Sequence, residues 1–276
     1  MTHPRSAEYV LGESGQAARR LEIQDAHFAD VSERLLDQIA LKPGERVVEL
    51  GCGPGGFSRR ILKRLGAGGV LVAVDSSQGL LTQAQANVAG ISKARFEPVC
   101  ADVAGLGDWL DGADVVVART MLHHIPMVEV VLGRLRARLR PGTRVGLLEP
   151  DFRSQLARIG YLEATGRPEV APLRVWAFAI NDLYLARRLS PAVGATLART
   201  LELAGYQNVR EAWQETPTGA NAIENMLMFY DEVREHLINL HILTAEQIAE
   251  QQRLLRGLPI ERLPPAWGIF RVSAVA

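Results

Sequence analysis

The sequence has no charge imbalance, few cysteines and no long hydrophobic run. Its 31 basic and 31 acidic side chains give a formal net charge of zero, which argues against a protein held to nucleic acid or to an anionic membrane mainly by charge. The two cysteines, Cys52 and Cys100, are expected to be reduced thiols rather than a disulfide. The N-terminus lacks an apolar signal segment, and no stretch approaches a membrane span. We therefore expect a cytoplasmic protein without a membrane span.

The composition is that of an ordinary globular protein. Apolar residues make up 47% of the 276 positions and charged residues 22%, so a sizeable core is expected. The sequence shows neither an internal repeat nor a low-complexity linker. One α/β core with helical insertions explains this pattern better than two independent domains.

A glycine-rich stretch, Arg46–Gly56, is the most informative part of the chain. It opens with the strand-like pair Val47 and Val48 and leads into an amphipathic run that ends near Leu65. In a strand–turn–helix unit of this kind, backbone N–H groups at the helix start face a ligand, and glycines let that ligand approach the backbone. The stretch therefore predicts a cofactor-binding loop. Its glycines are Gly51, Gly53, Gly55 and Gly56.

Strand-like and helix-like segments alternate on either side of this loop, which predicts a doubly wound, mostly parallel sheet. The predicted division of the chain is an N-terminal arm and helix at 1–45, a cofactor-binding core at 46–150, a helical insertion at 151–190, and the end of the core at 191–276 with a second insertion at 217–262. Further predicted strands are Val70–Val74, Ala94–Cys100, Asp114–Arg119, Arg144–Pro150, Val209–Thr216 and Trp267–Val275.

Three helix predictions are specific enough to compare with a structure. A single helix is predicted from Ser14 to the turn at Lys42–Gly44, because apolar residues recur on one helical face. Residues 151–172 are predicted to be mostly loop with a short helix. Ser190 and Pro191 are predicted to be the N-cap and first residue of the next helix.

The glycine loop alone does not settle the cofactor. Gly51, Gly53 and Gly56 satisfy the G-x-G-x-x-G pattern, and Asp75 follows at a spacing that also suits a dinucleotide. An NAD-dependent oxidoreductase is therefore one alternative. Glu49, two residues before the first glycine, and Gly55 instead give the pattern E-x-G-x-G-x-G.

With Asp75 in Val-Ala-Val-Asp, Asp102 in Ala-Asp-Val and the turn Leu139–Thr143, this pattern resembles the class I S-adenosylmethionine-dependent methyltransferases. The resemblance covers roughly residues 15–150, the segment Ala204–Tyr206 and the last strand. It implies a Rossmann-like sheet of seven strands with an antiparallel last strand. It also implies S-adenosyl-L-methionine as cofactor and S-adenosyl-L-homocysteine as product.

The resemblance assigns roles to individual residues. Asp75 is expected to accept hydrogen bonds from the ribose hydroxyls, beside Ser76, and Asp102 and Val103 are expected to contact adenine. Each aspartate can instead cap the turn that follows it. Glu49 is expected near the methionine amino group, although a hydrogen-bonded strand-end glutamate is the alternative. The expected cofactor-binding residues are Glu49, Gly51, Gly53, Gly55, Asp75, Ser76, Asp102, Val103 and Arg119.

Candidate catalytic residues follow the fourth and fifth strands: His123, His124 and Glu149. The segment Leu122–Ile125 is similar to the corresponding segment of ubiquinone/menaquinone-biosynthesis-type methyltransferases. Either histidine can be a general base or a packing residue. Adjacent histidines lack the spacing of metal ligands, so no metal site is expected.

The insertions carry the prediction about the methyl acceptor. They contain aromatic and methionine side chains and are predicted to form a lid over a small, largely apolar or aromatic metabolite, methylated on carbon or oxygen. A nucleic-acid acceptor is not expected, and a homodimer is left open. The other alternative is a methyltransferase fold that acts as a cyclase or binding protein. The side chains in question are Trp176, Phe178, Tyr184, Met226, Met228, Phe229 and Tyr230.

Overall fold

A seven-stranded sheet forms the centre of the protein, for which a computed structural model describes residues 15–265 and 267–276. The predicted arm at 1–13 lies outside the described residues. The order of strands across the sheet is β3-β2-β1-β4-β5-β7-β6, with β1 to β5 parallel and β7 antiparallel to both neighbours. This confirms the predicted fold class. The strands are β1 (Arg46–Leu50), β2 (Val70–Asp75), β3 (Arg95–Cys100), β4 (Val115–Arg119), β5 (Arg144–Pro150), β6 (Gln207–Thr216) and β7 (Trp267–Val275).

Helices cover both faces of the sheet. In β1, Val47 and Val48 point to opposite faces and enter two different apolar clusters, as the two-residue period of a strand requires. The helices are α1 (Gly15–His27), α2 (Ala29–Gln38), α3 (Gly56–Leu65), α4 (Gln78–Val88), α5 (Val128–Arg138), α6 (Phe152–Ala164), α7 (Ala171–Ala186), α8 (Val193–Leu203), α9 (Ala220–Asn239) and α10 (Ala245–Arg256).

A third apolar cluster lies among the helices of the two predicted insertions. Side chains of α6, α7, α9 and α10 pack together there with Trp267 at the start of β7. Tyr184 and Tyr230 are among its largest fully buried side chains. The insertions therefore have an apolar core of their own, which is joined to the sheet through Trp267.

The prediction of one long N-terminal helix is wrong, because the helix is interrupted at Phe28, which lies between α1 and α2. The two halves pack against different parts of the protein. Val31 and Leu35 on α2 are buried against the sheet. Leu21 on α1 faces cavities described below.

Two further predictions need correction. Residues 152–164 form a regular helix rather than a loop, because Asp151 caps it by accepting hydrogen bonds from the backbone N–H groups of Arg153 and Ser154 at 2.9 and 3.2 Å. The next helix was predicted to have Ser190 as its N-cap and Pro191 as its first residue, but it begins at Val193. The Pro191 carbonyl instead accepts a hydrogen bond from the Phe152 N–H, at 2.9 Å.

Two helical glycines test how closely helix α8 packs against the end of strand β5. A Cβ on Gly194 in α8 would lie 2.6 and 2.7 Å from the carbonyl oxygens of Glu149 and Pro150. We expect Gly194→Ala to lower the free energy of unfolding by about 1–3 kcal/mol, despite the better helix propensity of alanine. A Cβ on Gly133 in α5 would meet no atom within 4 Å. Gly133→Ala should therefore raise the free energy of unfolding by about 0.5–1 kcal/mol. Urea unfolding measures both, and equal effects would contradict the packing argument.

Candidate active site

A cavity of about 360 Å³ opens at the carboxyl ends of β1, β2 and β4. Strand order reverses between β1 and β4, and ligands of open α/β sheets bind at such switch points. The volume falls in the range of small-molecule sites. Most of the predicted cofactor residues lie on its wall, namely Glu49, Gly51, Gly53, Asp75, Ser76, Asp102, Val103 and Arg119.

The glycine loop has the backbone conformation that the sequence predicted. Gly51, Gly53 and Gly55 have φ angles of 69°, 52° and 85°, in the left-handed region that favours glycine. Gly55 is the predicted residue that does not line the cavity. It is the N-cap of α3, and a Cβ there would lie 3.2 Å from Ala84. Its observed role is close packing against α4.

Helix α1 lies against the glycine loop through Asp25. A Cβ on Gly56 would lie 2.8 Å from the Asp25 carboxyl carbon. The Asp25 carboxylate is 2.6 Å from Arg119 and 3.4 Å from Arg60. Burial works to raise the pKa of Asp25, but the two guanidinium groups outweigh it and lower the pKa. Arg119 is therefore held by Asp25 while it lines the cavity.

Glu49 is a buried carboxyl on the cavity wall. The Ser58 hydroxyl donates to it at 2.5 Å. Burial raises the pKa of Glu49 to about 8, although the Ser58 hydrogen bond and the Arg119 charge oppose this shift. A cationic group in the cavity would stabilise the ionised form, so the site suits an ammonium group such as that of methionine.

The two predicted aspartates bind backbone groups as well as facing the cavity. Asp75 accepts from the N–H groups of Gly53 at 2.8 Å and Ser77 at 3.0 Å. Asp102 accepts from the Ala104 N–H at 2.9 Å and caps a short 3₁₀ turn. The capping alternative thus holds for both. A carboxylate has four lone-pair sites, so capping a turn and binding a ligand do not exclude each other.

A second cavity, of about 90 Å³, lies between the sheet and the insertion helices. Aromatic side chains form much of its wall, and they include Trp176, Phe229 and Trp267. Among the other predicted acceptor-site residues, Tyr184 and Met226 line it, whereas Phe178 is exposed and Tyr230 is buried in the core. Four residues line both cavities: Leu21, Gln24, Thr120 and His124.

The loop after β4 is shaped by Glu149, which is fully buried at the end of β5. Its carboxylate accepts hydrogen bonds from the N–H groups of Met121 and Leu122 at 2.9 and 2.8 Å, and lies 2.6 Å from His123 Nδ1. Glu149 lines neither cavity, whereas His123 lines the smaller one. The geometry therefore makes Glu149 a residue that positions the loop.

His124 lies where the two cavities meet. Its Nδ1 is 3.3 Å from the Tyr184 hydroxyl. Burial lowers the pKa of His124 well below its usual value, and the neighbouring His123 and Arg20 lower it further. The imidazole is consequently neutral at physiological pH and can accept a hydrogen bond.

Two polar wall residues, Gln155 and Asn225, were not identified from the sequence, and Arg20 was expected at the surface of the leading helix but is buried. All three line the smaller cavity, although they lie far apart along the chain. No local motif marks them, because packing of α1, α6 and α9 brings them together. Within residues 15–265 and 267–276, no group of three or more potential ligands could hold a metal ion, and none of the helices there has the length and apolar character needed to traverse a lipid bilayer.

Sequence comparisons agree with this geometry. A methyltransferase domain model matches residues 48–145. The chain is 34% identical over 187 residues to a trans-aconitate 2-methyltransferase of Mycolicibacterium gilvum, covering 66% of this chain and 65% of that one. It is 28% identical over 220 residues to the nocamycin O-methyltransferase of Saccharothrix syringae, covering 72% of each. The chain spans about half to two thirds of the length of other curated relatives, for example 46% of the Variovorax paradoxus trans-aconitate 2-methyltransferase.

Solved structures share the fold. The cyclopropane synthase MmaA2 of Mycobacterium tuberculosis matches with a TM-score of 0.61 at 14% identity, over 98% of this chain and 96% of that one. A Haemonchus contortus phosphoethanolamine N-methyltransferase, solved with S-adenosylhomocysteine, matches with a TM-score of 0.54 at 14% identity, over 89% and 52% of the two chains.

The seven-stranded sheet and the cavity at its switch point define a Rossmann-like fold, which the methyltransferase domain model and the solved structures share. The family-model match, the methyltransferases among the relatives and the shared fold support a class I S-adenosylmethionine-dependent methyltransferase. The ubiquinone/menaquinone subtype stays a prediction, because neither the relatives nor the structures above bear on it.

The raised pKa of Glu49 predicts a pH-dependent stability. The folded pKa of about 8 exceeds the ordinary value of 4.5, so the stabilisation from this group is complete below pH 4.5 and is lost as the pH rises to about 8. Between these limits, the free energy of unfolding should fall by up to about 1.4 kcal/mol per pH unit. Glu49→Gln should flatten this slope in urea unfolding from pH 5 to 8. The exposed control Glu22→Gln should keep it, and the same slope in both variants would exclude Glu49 as the cause.

Proposed function

We propose that this protein transfers a methyl group from S-adenosylmethionine to carbon or oxygen of a small acceptor bound in the smaller cavity. The observation that carries the proposal is the meeting of the two cavities at Leu21, Gln24, Thr120 and His124. A donor in the larger cavity and an acceptor in the smaller one would share this wall. Holding two reactants in contact is a large part of what such a transfer requires.

In this proposal, the residues of the larger cavity bind the cofactor. Glu49 binds the ammonium group, Asp75 the ribose hydroxyls, and Asp102 with the Val103 N–H the adenine. Bound S-adenosylmethionine supplies an electrophilic methyl group. The buried carboxyl of Glu49, the positive φ angles of the glycine loop and the cavity volume support this assignment.

At the junction, the protein's main tasks are orientation and exclusion of water. When His124 Nδ1–H donates to the Tyr184 hydroxyl 3.3 Å away, Nε2 is the accepting nitrogen of the neutral imidazole, and an acceptor hydroxyl would donate to it. We therefore assign His124 as the residue that positions the acceptor, and as its general base where a proton must leave. Glu149 and His123 hold the loop that carries it.

The wall of the smaller cavity supports a partly apolar or aromatic acceptor. Trp176 packs edge-on against Phe229 and Trp267, with ring centroids 5.6 and 5.2 Å apart. One relative is named for O-methylation, which favours oxygen as the acceptor atom. We further propose that the insertions at 151–190 and 217–262 act as a lid. A cytoplasmic location and a homodimer stay predictions.

Asp75 tests the cofactor assignment. Asp75→Asn keeps the shape of the side chain but removes its charge, so S-adenosylmethionine should bind about 10- to 100-fold more weakly, or roughly 1.5–3 kcal/mol. Isothermal titration calorimetry measures the dissociation constant. Asp108→Asn, at a highly exposed side chain, is the control and should leave it unchanged. An unchanged dissociation constant in Asp75→Asn would rule out the ribose contact.

Phe229 tests the acceptor assignment and the activity together. Release of S-adenosylhomocysteine is measured against a panel of phenols, alkenoic and aromatic acids, and isoprenoids. With a competent acceptor, Phe229→Leu should raise the acceptor KM about tenfold and change cofactor affinity less than twofold, because this ring lines only the smaller cavity.

The control for this experiment is Phe178→Leu, on the half-exposed side of α7, which should leave the acceptor KM unchanged. A change in cofactor affinity without a change in acceptor KM would contradict the assignment of the smaller cavity. Tight cofactor binding with no S-adenosylhomocysteine from any acceptor would instead favour the cyclase or binding-protein alternative.

A further inference from the structure

Unpaired polar atoms are concentrated on the wall of the smaller cavity. Five buried side-chain atoms that line it have no hydrogen-bond partner among the residues described by the structure. A buried polar group without a partner costs about 1–3 kcal/mol, so native proteins rarely leave several of them at one place. The atoms are Arg20 Nη2, Gln155 Oε1, Trp176 Nε1, Asn225 Oδ1 and Trp267 Nε1.

Three of these atoms can only donate. The Arg20 guanidinium and the two indole N–H groups, of Trp176 and Trp267, have no acceptor capacity, whereas the amides of Gln155 and Asn225 can donate or accept. All three donor side chains are more than nine-tenths buried. A ligand that satisfies them has to offer acceptor atoms inside the cavity.

The charge of the cavity wall also favours a ligand with acceptor atoms and a negative charge. Arg20 is the one side chain with a permanent charge that lines the smaller cavity, within the described part of the chain. Its Nε lies 3.0 Å from both carboxylate oxygens of Glu232. This ion pair holds the guanidinium through Nε, while Nη2 has no hydrogen-bond partner among the described residues. Burial lowers the pKa of His27 on the same wall to about 4, so that histidine is neutral.

From these observations we propose that the methyl acceptor carries a carboxylate, which binds Arg20 Nη2 and the indole N–H groups of Trp176 and Trp267. A carboxylate presents two oxygens and four lone-pair sites, which match three donors. Its negative charge is attracted to the guanidinium, and hydrogen bonds between ionised groups are the strong kind. The aromatic wall then takes the apolar body of the same molecule.

This proposal rests on the proposed function for the identity of the ligand as the acceptor, but its test uses equilibrium binding alone. The probes are phenylacetate and cinnamate, each compared with its neutral amide, in the presence of saturating S-adenosylhomocysteine. Isothermal titration calorimetry measures the four dissociation constants. We expect each acid to bind at least about tenfold more tightly than its amide, because hydrogen bonds to a charged group are the stronger kind.

The key variant is the double substitution Arg20→Gln with Glu232→Gln. It removes the buried ion pair as a unit, since removing one partner alone would leave a buried charge unpaired. The preference for acids over amides should disappear. The matched control is Arg19→Gln with Glu224→Gln, an exposed ion pair that joins the same two helices; this variant should keep the full preference.

Trp267→Phe is an independent variant, and it decides the question where the double variant fails to show a cooperative thermal transition. It keeps an aromatic ring but removes one N–H donor, so it should weaken binding of the acids about tenfold and that of the amides much less. Equal affinity of the wild-type protein for acids and amides would overturn the proposal. So would a preference for acids that survives in both the double variant and Trp267→Phe.

The binding experiment can succeed while the activity experiment fails, and the reverse is also possible. Acid-selective binding that depends on Arg20, in a protein that releases no S-adenosylhomocysteine with any acceptor, supports the carboxylate site and rejects methyl transfer. Efficient methyl transfer to neutral phenols, with no selectivity for acids in binding, supports the activity and rejects the carboxylate site.

Discussion

The buried carboxylate of Glu149 is the constraint on which the junction between the cavities depends. Set at the end of β5, it is hydrogen-bonded by consecutive N–H groups of the loop after β4 and contacts the His123 ring. A fully buried carboxylate tolerates little displacement from such partners. The loop is therefore fixed to the sheet, and with it His124, which lies on the wall of both cavities. Positioning on a rigid strand end is what gives a loop residue a defined orientation.

The fold was largely predictable because its signals are local. Continuous apolar runs identified the buried parallel strands, and glycine and proline turns separated them. The sequence failed where a helix depends on distant partners. The break at Phe28 reflects the different surfaces that α1 and α2 contact. The start of α8 is delayed because the Pro191 carbonyl binds the Phe152 N–H.

The two cavities also differ in how well the sequence predicts the residues of their walls. The residues of the larger cavity belong to motifs at strand ends, and all the predicted ones except Gly55 reach its wall. The smaller cavity is assembled from α1, α6, α7, α9 and the start of β7, so its polar groups have no common sequence signature. Arg20 illustrates the limit: its neighbour Arg19 has the same side chain and also pairs with α9, yet only packing decides which of them is buried.

This division has an evolutionary consequence. Apart from the shared wall, the larger cavity is formed by strand ends and the loops after them, with the start of α3 and Leu80 of α4, and the smaller one mostly by inserted helices. Mutations in the insertions can therefore change the smaller cavity and leave the larger one as it is. A single substitution at Leu21, Gln24, Thr120 or His124 changes both walls directly. Selection for a new specificity would act first outside these four positions.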